Sequence, residues 1–196
     1  MDIVDYKLAG NTSLHIDLNK TEMQDTGFGS AQFVNIEGLA GGNGNDTFIG
    51  NQANNIFEGR GGEDVFDLTA GGQDTLMYKV LSATNSGGNG HDTVDGFFVG
   101  TIEATPNADI VDIKDMLIGY HADADGAAHY INGKATIDAG DNIQDYLSVT
   151  HSGNDTIISI DRDGHGGEFG MTSVVTLNNT NVDLETLLAN HQITLG

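Results

Sequence analysis

The sequence predicts a mainly β chain: a short parallel coil of nonapeptide units, followed by a β-rich C-terminal domain with a few short helices. Two observations predict the coil. A nine-residue period runs through residues 41–67, and Phe48, Phe57 and Phe66 recur at the same place in its three units. A third observation marks the change that follows. Beyond about residue 100, glycine-rich loops give way to β-branched runs such as residues 156–160 and 173–177. We divide the chain accordingly into a strand lead-in (1–32), a repeat region (33–99) and a C-terminal region (100–196).

The lead-in alternates weakly at Ile3, Leu8, Leu14, Ile16 and Leu18 and reads as short strands. Residues 33–39, FVNIEGL, form an apolar lead-in turn with Leu39 in the phenylalanine phase. The units are GGNGNDTFI (41–49), GNQANNIFE (50–58) and GRGGEDVFD (59–67), and each offers a six-residue loop and a three-residue strand. Asp46, Asn55 and Asp64 stand two residues before the phenylalanines. Two units make one coil, with one strand in each of two parallel sheets. Phe48 then stacks on Phe66 in one sheet, and Leu39 on Phe57 in the other. Residues 71–76 are a truncated copy. GGNGHDTVD (87–95) is a full copy, but it starts 28 residues after Gly59, out of phase, and is expected as a separate loop.

Further on, residues 108–113 read as a strand and residues 114–117 as one helical turn. Residues 141–147 read as a short helix capped by Asp141. The strands at 156–160 and 173–177 are joined through a surface turn at 161–164. Leu184, Leu187 and Leu188 behind Asp183 have helical spacing.

Composition narrows the chemistry. Twenty-nine carboxylates face seven lysines and arginines, for a formal net charge of -22. Such a chain repels itself, and cations are its natural partners. It lacks the basic residues that nucleic acid or an anionic membrane surface would need. There is no cysteine, so disulfides and thiolate metal sites are excluded. No apolar run is long enough to span a membrane. The start, MDIVD, is acidic where a signal peptide would be basic, so an export address is expected elsewhere. The histidines form no HExxH pair and the serines no nucleophile elbow, so the chain is not expected to be an enzyme.

The loops suit calcium, a hard cation that takes six to eight oxygen ligands. Glycines permit positive φ and turn carbonyl oxygens inward, and the aspartate adds a carboxylate. One loop cannot complete the shell, but two loops one coil apart can. Residues 41–46 are expected against 59–64. Asp46 and Asp64 would be the carboxylates there, with backbone oxygens at Gly41, Asn43, Gly59 and Gly61. On the opposite side, residues 50–55 would stack toward 68–74 with Asp74 as ligand. That site has Asn54 and Asn55 in place of aspartate and should be weaker or empty. Asp92 would serve the separate loop. Each buried phenylalanine contributes roughly 1.5–3 kcal/mol, whereas ordering costs about 1–2 kcal/mol for each backbone residue. The ladder should therefore fold only with its metal.

GGNGNDTFI and GGNGHDTVD match the GGxGxDxUx repeat in full, and the chain resembles the RTX (repeats-in-toxin) family on these residues. GRGGEDVFD departs at its second residue, and GNQANNIFE at glycine and aspartate positions. The resemblance implies a calcium-bound parallel β-roll. Further segments are similar to the C-terminal domain of giant RTX adhesins and biofilm-associated proteins: GGNGHDTVDGF, ADIVDIKDMLIGY, YLSVTHSGNDTIISIDRDG and VVTLNNTNVDLETLLANHQ. This similarity implies a secreted, cell-surface protein of a Gram-negative bacterium. It also implies a monomeric module carrying an uncleaved signal read by a type I ABC transporter complex, with part of that signal in the terminal leucine cluster. Two rivals are an accessory module of a secreted RTX enzyme or toxin, and a module that binds polysaccharide through calcium. Residues 121–126 and 161–164 faintly resemble EF-hand loop starts, but neither has the glutamate at position twelve.

Overall fold

A computed structural model describes residues 1–117, 129–131, 134–137, 141–164 and 167–195. The chain is mainly β with parallel sheets and a few short helices. In chain order the first strands are β1 (Ile3–Asp5), β2 (His15–Asp17), β3 (Gln24–Asp25), β4 (Ser30–Ala31), β5 (Gly38–Ala40), β6 (Thr47–Ile49), β7 (Ile56–Glu58), β8 (Val65–Asp67), β9 (Thr75–Met77) and β10 (Asp92–Asp95). Then follow β11 (Ile110–Asp112), β12 (His129–Ile131), β13 (Lys134–Ile137), β14 (Asp141–Asn142), α1 (Ile143–Tyr146), β15 (Leu147–Ser152), β16 (Asp155–Ile160), β17 (Thr172–Leu177), α2 (Leu184–Ala189) and β18 (Ile193–Thr194).

The nine-residue period becomes an alternation between two sheets. One sheet runs β1-β5-β7-β9-β11-β18, parallel throughout. The other runs β2-β6-β8-β10-β17 in parallel, and β16 and β15 then extend it antiparallel. Each three-residue strand turns its middle residue inward, because side chains alternate across a strand. Registers align these residues into two files. Val4, Leu39, Phe57, Leu76, Val111 and Ile193 form one. Ile16, Phe48, Phe66, Val94 and Leu177 form the other. The files meet between the sheets as the core, and Phe48, Phe57 and Phe66 interlock there with ring centroids 5.8–6.1 Å apart. The expected stacking of Phe48 on Phe66 and of Leu39 on Phe57 is present.

The full copy at 87–95 is not a separate loop. β10 pairs with β8 in register, Val94 opposite Phe66. Asp46 and Asp64 are 18 residues apart and Asp64 and Asp92 are 28 apart, so ten extra residues loop out between β9 and β10 without disturbing the stack. A coil fixes strand pairing but leaves loop length free, so insertions are cheap. The same two sheets take in β1 and β2 from the lead-in and β11, β17 and β18 from beyond residue 100.

Other departures are local. Lys7–Ala9 form a 3-10 turn where strand alternation was expected. Residues 114–117 form a turn, closed by Met116 N–H donating to Ile113 O at 2.8 Å. α1 is shorter than the helix expected at 141–147: Asp141 belongs to β14 rather than capping the helix, and Leu147 opens β15. α2 is capped as expected, with the Asp183 carboxylate accepting the Thr186 N–H at 2.7 Å. The turn at 161–164 is not wholly a surface feature, because Arg162 is only 4 % exposed. Its guanidinium donates to the carbonyls of Thr84 (2.8 Å) and Met116 (3.3 Å) and lies 4.4 Å from the Phe169 ring centre. The other loop with an EF-hand-like start, at 121–126, lies outside the described residues.

Candidate metal centre

Asp46, Asp64, Asp74, Asp92 and Asp109 are buried in the wall of the coil, and each carboxylate ties two coils together. Along one wall, Leu14 N–H donates to Asp46 Oδ1 at 2.8 Å, Asp46 N–H to Asp64 Oδ1 at 2.7 Å, and Asp64 N–H to Asp92 Oδ1 at 2.9 Å. Along the other, Asn55 N–H donates to Asp74 Oδ1 and Asp74 N–H to Asp109 Oδ1, both at 2.8 Å. All six side chains are buried. The loops stack as expected: Gly61 N–H donates to Gly42 O at 3.2 Å, and Glu63 N–H to Asn45 Oδ1 at 3.1 Å.

The glycines are required by close approach. A Cβ on Gly41 would lie 2.1 Å from Asp46 Oδ2, and one on Gly59 would lie 2.0 Å from Asp64 Oδ2. The carboxylate of each unit therefore fills the space above its own first glycine.

The second carboxylate oxygens separate the positions. Asp46 Oδ2 accepts Gly42 N–H at 3.0 Å, and Asp109 Oδ2 accepts Phe98 N–H at 2.8 Å. Asp64, Asp74 and Asp92 each bury an Oδ2 with no hydrogen-bond partner. A buried charge left unpaired is strongly disfavoured, so each of these calls for a proton or a cation. Burial pushes the Asp64 carboxyl up to about 8, and the charge of Asp92 adds to the effect. Burial likewise pushes Asp74, Asp92 and Asp109 to about 7, and it raises Asp46. Asn55 has no charge, and its Oδ1 accepts Asn51 N–H at 2.8 Å.

Of the carboxylates expected as ligands, the structure brings Asp46, Asp64 and Asp92 into one file and places Asp74 in the other. Gly59 is buried against Asp64 and Gly61 is buried against Asn43, whereas Asn43 is itself exposed and donates its N–H to Gly10 O at 2.6 Å. The Gly41 carbonyl already has a donor, Arg60 Nη1 at 2.8 Å. Arg60 stands at the unit's second position with φ +71°, and it also forks onto Asp5 at 2.7 and 3.0 Å and reaches Glu58 at 3.1 Å. One residue of the wall escapes the repeat pattern: Asp109 stands two residues before Val111, as Asp46 stands before Phe48, but without the glycines that mark the repeat.

The donors on both walls are oxygens alone, which fits a hard divalent cation. Among the described residues no three His, Cys, Asp or Glu side chains converge. Any ion would therefore be held by one or two carboxylates together with backbone oxygens, as a GGxGxD loop supplies them. No protein-family model and no curated protein matches this sequence.

Proposed function

We propose that this chain is a calcium-binding module that folds on meeting the ion: the C-terminal part of a large bacterial surface adhesin, exported through a type I apparatus. The observation that carries the calcium reading is the set of unpartnered Oδ2 atoms on Asp64, Asp74 and Asp92, buried between stacked glycine loops in a chain of net charge -22. Calcium supplies the positive charge these oxygens lack, and the glycines leave backbone oxygens free to approach it. Folding and binding are then linked, since the unfolded chain has no assembled wall. At low calcium the acidic chain stays open and can be threaded. At the millimolar calcium outside the cell it folds and resists sliding back.

The adhesin and export parts of the reading rest on the resemblance of the segments beyond residue 86. Their strands β10, β11, β17 and β18 are hydrogen-bonded into the same sheets as the calcium loops, so folding at the loops is coupled to the chain's C-terminal end. The test combines isothermal titration calorimetry with far-ultraviolet circular dichroism of chelator-treated protein. A calcium-dependent gain of β-structure with saturable binding supports the proposal, and no heat and no gain would reject it. Fusing the chain behind a passenger and assaying export through a type I apparatus tests the secretion role.

A further inference from the structure

We propose that Tyr78, reaching in from the opposite sheet, completes a composite cation site with Asp64 and Asp92, orienting the free oxygen of Asp92 toward the ion. The inference rests on the calcium reading and assigns that site a residue which no repeat motif contains.

Asp64 N–H donates to Asp92 Oδ1 at 2.9 Å, and Asn89 Nδ2 ties the carbonyl of Lys79, next to Tyr78, to the loop before Asp92 at 2.8 Å. Asp64 Oδ2, Asp92 Oδ2 and the Tyr78 hydroxyl are each buried without a hydrogen-bond partner. Tyr78 is 3 % exposed, and its backbone is pinned beside β11 by its N–H donating to Asp112 O at 2.9 Å. Burial, then the charge of Asp92, then contact with that carboxylate, and last the charge of Asp64 hold the phenol well above its ordinary pKa.

Among the described residues the nearby cations are engaged elsewhere. Lys79 Nζ is bound to Glu58 at 2.7 Å, Arg60 to Asp5 and Glu58, and Arg162 to the carbonyls of Thr84 and Met116. A phenol is the right neutral partner. It is a donor that carries no charge of its own at neutral pH, so it can fix one lone-pair direction of Asp92 while the other faces the cation. Hydrogen bonds of this kind to a ligating carboxylate orient it and tune affinity, and losing one typically weakens metal binding about 10–100-fold. The ten-residue excursion before β10 explains why the pattern is special. It is anchored by Asn89 Nδ2 donating to the carbonyls of Lys79 (2.8 Å) and Ser86 (3.0 Å), and it replaces the short loop that an unbroken repeat would place there.

The experiment is calcium titration of the whole chain, followed by calorimetry and by near-ultraviolet difference absorption. The chain has no tryptophan and five tyrosines, so a phenol perturbed by calcium is directly visible. Wild type should show a calcium-induced tyrosine difference band. Tyr78→Phe should lose the part of that band that Tyr78 contributes and bind one class of ion roughly tenfold or more weakly, with the remaining sites unchanged. Asp92→Asn should remove one ion from the stoichiometry and diminish the band by the same part. Unchanged affinities and an unchanged band in Tyr78→Phe overturn the inference while leaving the calcium reading intact; no binding by wild type overturns both. Should Tyr78→Phe not fold, Asp92→Asn decides, and an undiminished band there overturns the assignment.

Discussion

Asp64 Oδ1 accepts the backbone N–H of Asp46 at 2.7 Å while Asp64 Oδ2 is buried with no partner. One oxygen clamps the neighbouring coil and the other is left for a cation. Asp64→Asn separates the two roles, because an amide keeps the accepting oxygen and removes the charge. In chelator the variant should hold more β-structure than wild type, and it should gain less from calcium. Circular dichroism with and without calcium checks this. An equal calcium response in the two proteins would show that Asp64 holds no ion.

Acid should stabilise the metal-free fold. Burial raises Asp64 from 3.8 to about 8, and Asp74, Asp92 and Asp109 from 3.8 to about 7. Between the unfolded and folded values the native state binds more protons, so stability falls as pH rises. It is fully present below about pH 4 and is lost progressively through pH 7–8. In chelator, β-structure should therefore increase on acidification from pH 8 to 5. Saturating calcium should flatten that dependence, since a bound cation and a proton compete for the same oxygens. A metal-free protein that loses structure on acidification over this range would contradict the buried-carboxylate account.

The phenylalanine spacing and the position of Leu39 were enough to place four consecutive strands in two sheets, because a three-residue strand with one inward side chain leaves its period in the sequence. The coil at Asp92 was not legible. The sheet fixes which strands pair, but the ten residues looped out after β9 erase the period. Asp109 was missed for a related reason: its carboxylate bonds two N–H groups, including that of Phe98, without needing the glycines that identify a repeat. Arg162 read as part of a surface turn because its partners are carbonyls of Thr84 and Met116, distant in sequence and without any side-chain signature.

Phe57 lies flat against Phe66, with ring centroids 5.8 Å apart and planes at 13°, and also meets Phe48 at 5.8 Å. All three rings are fully buried. Phe57→Ala should cost about 3–5 kcal/mol, from lost burial and the cavity left behind. Because folding and binding are coupled, apparent calcium affinity should fall too, by about tenfold for each 1.4 kcal/mol not recovered. Urea titration at saturating calcium measures the first effect and calorimetry the second. A loss under about 1 kcal/mol would mean that the rings do not form a single close-packed core.

Arg60 joins β1 to the coil at a cost in backbone strain. Its φ of +71° is a left-handed conformation that a side chain disfavours by roughly 1–2 kcal/mol. What it gains is the fork onto Asp5, whose carboxyl is held down to about 2 chiefly by that hydrogen bond, and the bond to Gly41 O. The Asp5 side chain is about half exposed, so the pair is screened and contributes of order 0.2–1 kcal/mol. Two substitutions resolve these terms. Arg60→Ala loses the clasp and keeps the strain, so the melting temperature should drop. Arg60→Gly loses the clasp but relieves the strain, so global stability should stay close to wild type. In both variants β1 loses a tether, and the Tyr6 amide, which donates to Ala40 O at 2.8 Å, should exchange with solvent faster than amides in β7. Hydrogen exchange read residue by residue separates this local release from global unfolding. Unchanged Tyr6 protection in both variants would show that β1 is held by strand pairing with β5 alone.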